Sequence, residues 1–361
     1  MVDDRARVDS GKLTEFSVRS LEKLGMPGED ALVMATMLVA CDLRGVESHG
    51  VAHLRMFYVR RFRQGIINLN PRLKTLAEAP ATATIDGDNG FGFIVGYHAM
   101  KDAIGRAGNT GVGMVTVRNS THFGAAAYYA MMALDRDMIG IAMTSSVAIV
   151  VAPGSSRPAV STNPIAVAVP AGKKPPFVLD MATSAAAGGK LEIARRQGKP
   201  LPEGWFVDGD GSPVTDVTKQ RPPGGGLLPL GGIPDTGAFK GFGLALVVEV
   251  LTGILSGSKA SLLHDLPQEQ RGNYSDHFFG ALDVGRFTPI NAFKQSMDDM
   301  IEALEALPTV PGVDRVTVPG PYEAEIIAER KANGIPLDAA VLDDLKTLGE
   351  ELEIPFDAGL S

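Results

Sequence analysis

Three glycines, Gly90, Gly92 and Gly96, stand between an alternating run, ATATI at 81–85, and an apolar helical run at 94–106. This spacing constrains the fold most, because a strand, a glycine turn and a helix in that order open a doubly wound dinucleotide-binding sheet. Three details exclude that sheet here. A buried parallel strand reads as a continuous apolar run, whereas 81–85 alternates Ala with Thr. Asp86, Gly87, Asp88 and Asn89 separate the strand from the first glycine. No acidic residue follows about 20 positions on to hold a ribose. The spacing predicts a hairpin-like turn at 86–90, so any cofactor sheet must be built elsewhere.

The chain is long enough for two domains or one large one, with 361 residues, 45% hydrophobic and 21% charged. A formal net charge of −8 argues against nucleic acid or an anionic membrane as the main partner. A small anionic substrate then needs a local basic pocket. The single cysteine, Cys41, excludes an internal disulfide and suits a reducing cytosol. The charged start, MVDDRARVDSGK, has no apolar stretch of the secretory kind. The apolar run 239–255 contains Lys240 and Glu249 and is short of the ~20 residues a membrane span needs, so it reads as a buried core helix.

Proton-handling side chains concentrate at 43–63, LRGVESHGVAHLRMFYVRRFR, which holds His49, His53 and five arginines. Val51, Leu54, Phe57, Tyr58 and Phe62 recur at helical spacing, which predicts a helix from about Gly50 with His49 at its N-terminus. The helix dipole there disfavours an imidazolium, and a histidine near neutrality suits general acid–base work. Ser48 is placed to orient the ring, and Arg44 and Arg55 to hold an anion. The bland alternative is a histidine capping a surface helix with a solvated arginine face.

Two more junctions follow. The strand 111–118 delivers Asn119-Ser120-Thr121-His122, after which a helix opens at 125. Its first-turn amides suit an anion, or the Asn-Ser-Thr cluster serves only as a cap. The strand 177–180 ends on Asp180, before Met181-Ala182-Thr183-Ser184, where a carboxylate orients a histidine or a ribose hydroxyl, or caps a helix. Lys240-Gly241 opens the 239–255 helix, its lysine placed for a phosphate or merely snorkelling. The loop 208–212, DGDGS, fails as a calcium site because Pro213 and Lys219 replace the required glycine and glutamate. Residues 315–318 read as a strand and 337–352 as an amphipathic helix.

Together the strings RGVESHGV, GVGMVTVRNSTHFG, STNPIAVAVP, FVLDMATS, LPLGG and FKGFGLALVVEVL, with RVTVPG and NGIPL after them, resemble the malate/L-lactate dehydrogenase family that lacks a Rossmann domain. Relatives in that family include ureidoglycolate, sulfolactate and 2,3-diketogulonate dehydrogenases and a cyclic-imine reductase. The resemblance implies an α/β (α+β) fold of the sulfolactate-dehydrogenase kind, with a central cofactor-binding sheet and helical N- and C-terminal segments, used as a homodimer. It implies a substrate-side domain from 1–115 and 290–361 and an NAD(P)-binding domain at 116–289. It further implies hydride transfer between NAD or NADP, with NAD favoured, and a small 2-hydroxy or 2-oxo acid, malate or L-lactate before sulfolactate, ureidoglycolate, a diketo acid or a cyclic imine.

Carried onto this chain, the family pattern makes His49 the acid–base group, with Ser48 beside it, His122 near nicotinamide and substrate, and Asp180 in support. Some members give the proton role to the histidine matching His122. Ser146, Asp180, Met181, Ala182, Lys240, Gly241, Pro319 and Gly320 match cofactor contacts. Two positions depart from the pattern: His53 stands where an arginine commonly clamps a substrate carboxylate, with Arg55 two further on, and Pro321 replaces a common acidic residue. Neither a metal nor a Cys/His cluster is called for. A serine hydrolase built on Ser48 or Ser146 lacks the G-x-S-x-G elbow, and a non-catalytic binding protein that kept the fold is the remaining alternative.

Overall fold

The computed structural model describes residues 5–188, 190, 194, 198–216, 224–264, 274–357 and 359. In chain order, β1 (Ala6–Val8), α1 (Ser10–Lys23) and α2 (Gly28–Leu43) lead to a short α3 (Arg60–Arg63). Then come β2 (Lys74–Ala79), β3 (Thr82–Gly90), α4 (Gly92–Thr110), β4 (Val112–Ser120), α5 (Ala126–Met131), β5 (Met138–Ser146), β6 (Val150–Val151) and β7 (Pro158–Val160). β8 (Ile165–Val169), β9 (Phe177–Met181), β10 (Phe206–Val207), β11 (Gly226–Leu227), α6 (Ala238–Glu249) and β12 (Ser275–Asp283) follow. The chain finishes with α7 (Ile290–Glu305), α8 (Pro321–Asn333), β13 (Ile335–Leu337) and α9 (Ala339–Leu352).

A seven-stranded sheet in the order β2-β3-β4-β12-β5-β8-β9 is the frame. Only β3 and β4 pair in parallel; the other neighbours are antiparallel. It follows that β3, β4, β5 and β9 all run the same way and end at one edge. Ser120, Ser146 and Met181 therefore finish on the edge where β12 and β8 begin. A four-stranded sheet, β10-β11-β6-β7, stands apart, and β1 pairs with β13, tying the start of the chain to its end.

The glycine spacing turns out to be part of a βαβ unit. β3 runs on through 86–90, so no hairpin-like turn forms there. Its register shifts between Asp86 and Gly90, with Asp88 and Asn89 at positive φ. α4 then crosses to the parallel strand β4. A Cβ on Gly92 would lie 2.1 Å from Thr121 O, and one on Gly96 2.8 Å from the Tyr129 ring. These glycines admit close packing. Thr121 Oγ1 accepts the Gly92 N–H at 3.1 Å and donates to Gly90 O at 3.1 Å, so the glycine turn braces the segment that carries His122.

Two other expectations change. No strand forms at 315–318; Pro319 O instead accepts the Val178 N–H of the outer strand β9. The 239–255 helix is only half a core helix. It buries Ala238, Gly241, Ala245 and Val248 but exposes Phe239 (64%), Val247 (48%) and Ile254 (55%). Residues 115 and 116 lie inside β4, and one apolar core draws on residues from Val8 to Ile354. Among the described residues no helix is long and apolar enough to cross a membrane, and no group of His, Cys, Asp and Glu could hold a metal ion.

Candidate active site

The stretch after α2 is not one helix. Glu47–His49 and Val51–His53 each make a 3₁₀ turn, and Leu54–Val59 makes a π turn that runs into α3. Asp42 is the reason for the first break. Its buried carboxyl accepts the Val51 N–H at 2.9 Å, and a Cβ on Gly50 would lie 1.9 Å from its Oδ1. Burial pushes the Asp42 pKa up to about 7. A π turn widens the helix and often marks a functional site. Here it sends Phe57 and Tyr58 toward His122.

The result is a cluster of rings. His49 stacks on His122 at 5.7 Å between centroids and lies parallel to His53 at 6.4 Å. Ser48 Oγ and His49 Nδ1 are 2.9 Å apart, and Tyr58 Oη and His122 Nδ1 are 2.8 Å apart. Phe57 meets His122 edge-on at 5.3 Å and carries the Arg61 guanidinium on its face at 3.5 Å. Burial, and secondarily His53, pushes the His49 pKa down to about 4. His122 lies well below the ordinary range, through burial first and then His49, His53 and Arg61. The expected neutrality of His49 thus stands, but burial is its cause, since no long helix begins there.

Asp180 sits a short way off. Its carboxyl accepts the Ala127 N–H at 2.8 Å, and crowding by the protein pushes its pKa up to about 6 against that bond and Arg44. Arg44, Asp180, Cys41, Tyr128 and Glu323 line a cavity of about 60 Å³. No hydrogen bond joins Asp180 to His49 or His122 among the described residues. The segment from His122 to Ala127 spans the gap between them.

The cofactor strings converge although the chain separates them widely. Thr183 N–H donates to Thr162 O at 2.9 Å, and Leu230 N–H donates to Thr183 O at 2.8 Å. A Cβ on Gly241 would lie 2.2 Å from Leu230 O, and Asn163 Nδ2 donates to Ala245 O at 2.9 Å. Leu230 therefore joins the segment that follows Met181 and Ala182 to Gly241 at the strand-end edge. Ser146 also ends there, its hydroxyl donating to Tyr274 O. Gly320 packs lower on β9, where its Cβ would be 2.1 Å from Pro176 O, and Pro321 takes the first turn of α8, a position that favours proline.

Arg55 is turned elsewhere: its guanidinium donates to Asp344 and Glu351 on α9. That geometry turns it away from the histidines, and Arg61 is the arginine in the ring cluster. The sequence pattern showed Phe57 and Tyr58 only as apolar helix positions and Arg61 only as one of five arginines, none of them as a site residue. The four-residue spacing of His53, Phe57 and Arg61 held the signal, since side chains so spaced share a helix face.

A nicotinamide dinucleotide fits this edge. α6 begins at Gly237 without a side-chain cap and has Lys240 in its first turn, a donor set suited to phosphates.

A sequence model described as malate/L-lactate dehydrogenase matches residues 8–346. The malate dehydrogenase of Pyrococcus abyssi is 43% identical over 98% of this chain and 96% of its own. The L-sulfolactate dehydrogenase of Methanocaldococcus jannaschii is 37% identical over 93% and 94%. The solved malate dehydrogenase of Pyrococcus horikoshii superposes with a TM-score of 0.88 at 40% identity, over 98% of both chains. The strand-end cluster thus lies in a fold whose relatives are oxidoreductases, and the chain belongs to the malate/L-lactate dehydrogenase family.

Proposed function

We propose that this protein is an NAD-dependent malate dehydrogenase acting as a homodimer in the cytoplasm, with His49 as its acid–base group. The observation that carries this reading is the stacked, partly buried pair of histidines, His49 and His122, at the strand-end edge, both held toward the neutral form. Similarity to malate dehydrogenases supports malate as the substrate. When bound, the nicotinamide supplies the two-electron acceptor or donor. The protein's part is then to place the carbon and move the proton. His49 takes the proton of the substrate hydroxyl during oxidation and returns it during reduction, with Ser48 setting its ring. Arg61, flat on Phe57, faces the cluster as the cation for a substrate carboxylate. Lys240 and the start of α6 receive the phosphates. Asp180 holds the N-terminus of α5, and so the segment bearing His122.

Nicotinamide absorbance, followed with NAD and NADP against malate, L-lactate, sulfolactate and ureidoglycolate, tests the reading. The highest kcat/KM is expected for malate with NAD. Binding of NADH with no turnover of any acid would favour a non-catalytic protein.

The exposed face of α6 supports a dimer. Phe239, Val247, Val250 and Ile254 form one apolar stripe along it and the π turn that follows, and exposed apolar area of this kind is usually covered. Ile254→Glu with Val247→Glu is expected to give a monomer by sedimentation at micromolar concentration. An unchanged dimer would place the interface elsewhere.

A further inference from the structure

The roles of the two histidines can be separated by asking which nitrogen of His122 holds its proton. Two groups face Nδ1: Tyr58 Oη at 2.8 Å and the Gly124 N–H, which donates at 3.4 Å. A hydroxyl turns to donate or accept, but a backbone N–H only donates. Its direction is fixed here. Gly124 has φ +77, which favours glycine, and a Cβ on it would lie 2.6 Å from the Phe93 ring. The next ring back is fixed too. Phe123 lies between His277 at 4.6 Å and Tyr129 at 4.8 Å, and Tyr129 Oη donates to Phe123 O at 2.5 Å. A proton on Nδ1 would point at the Gly124 N–H. Nδ1 therefore accepts, and Tyr58 serves as a second donor.

We propose that His122 works as a neutral Nε2–H donor that holds the substrate's reacting oxygen, with Nδ1 pinned by Tyr58 and Gly124, while the proton moves through His49 alone. The inference deepens the dehydrogenase reading and rests on it. His122 keeps its proton throughout turnover. The substrate's O–H proton passes to His49 as the C–O bond gains double-bond character, and the oxygen stays on the His122 N–H in either direction. Such a preset donor is strongest where charge develops on that oxygen. Burial of His122 and Tyr58 keeps the ring uncharged and the phenol protonated, as this division of labour requires.

Two measurements on the full-length protein test it. In the first, histidine labelled with ¹⁵N is incorporated, and the His122 signals are assigned by their loss in His122→Gln. An unprotonated Nδ1 and a protonated Nε2 are expected from pH 6 to pH 9 in the wild type. In the second, kcat is compared between His122→Gln, which retains an N–H near the Nε2 position, and His122→Ala. Removing such a donor costs about 10²–10³ in kcat, so Ala should lose that much, whereas Gln should stay within about tenfold of wild type and keep the same acid limb in its pH profile. A proton on Nδ1, a charged ring, or a Gln variant as impaired as Ala would each overturn the proposal. Wild-type protein that turns over no acid would instead refute the dehydrogenase reading, and the spectrum would still decide the tautomer.

Discussion

Replacing His49 by alanine is expected to lower kcat by about 10²–10⁴ and to leave NADH affinity within about twofold, because the ring acts on a proton and not on the dinucleotide. Steady-state rates with malate and a fluorescence titration with NADH separate the two effects. The pH dependence adds an independent check. Oxidation needs the neutral ring, and burial sets the His49 pKa at about 4 in the free protein. Wild-type kcat/KM, which reports the free enzyme, should therefore hold through neutral pH and fall as pH drops through about 4. In the alanine variant that limb disappears. Stability carries the same signature. The folded pKa lies below the ordinary 6.5, so the unfolded chain binds the extra proton first as pH falls. The contribution of the neutral ring is complete above 6.5 and is lost on the way down to about 4. Over that window wild type should lose more stability than His49→Ala. A nearly active variant, or one whose main defect is NADH binding, would move the acid–base role away from His49.

How far the chain could be read without its structure depended on whether the deciding contact was local. Strand periodicity located β3, because Ala83 and Ile85 alternate with Thr82 and Thr84 as a half-buried strand requires of its two faces, but it did not show β2 or most of the central strand β12. The glycine spacing was legible as something other than a phosphate loop. Its purpose was not, since Gly92 answers to Thr121 and Gly96 to Tyr129, contacts about 30 residues away that no spacing rule encodes. The same holds at the site. His49 and His122 could be singled out as histidines at junctions, yet the Phe57 and Tyr58 contacts to His122 come from a π turn, and an apolar pattern near period 3.6 does not distinguish π from α over six residues. Arg55 looked suitable by position and was claimed by Asp344 and Glu351 from the other end of the chain. The exposed side of α6 was hidden for a different reason: an all-round apolar helix reads the same whether its second face meets a core or a partner.

Arg61→Ala is expected to raise KM for malate by about 10–100-fold with kcat little changed, the loss that follows when one charged hydrogen-bonding partner of about 1.5–3 kcal/mol is removed from both ground and transition states. The guanidinium lies on the Phe57 ring at 3.5 Å and is anchored by a bond from Nη1 to Phe57 O at 3.1 Å. Phe57 in turn touches both His53 and His122, so the cation is held against the ring cluster. Burial lowers the pKa of Arg61, but a guanidinium retains its charge at any working pH. Lysine at this position should not restore the loss. Its ammonium is a point charge without the flat face that rests on Phe57 or the paired N–H groups that match a carboxylate. His53 does not replace it, because an imidazole lacks the paired N–H groups that hold a carboxylate at two points. Initial rates of Arg61→Ala and Arg61→Lys with malate, and with the methyl ester of lactate as a substrate lacking a carboxylate, check the assignment. KM should rise for malate and stay level for the ester. An equal rise for both, or a loss confined to NADH affinity, would make Arg61 a structural or cofactor residue and leave the substrate carboxylate to another cation.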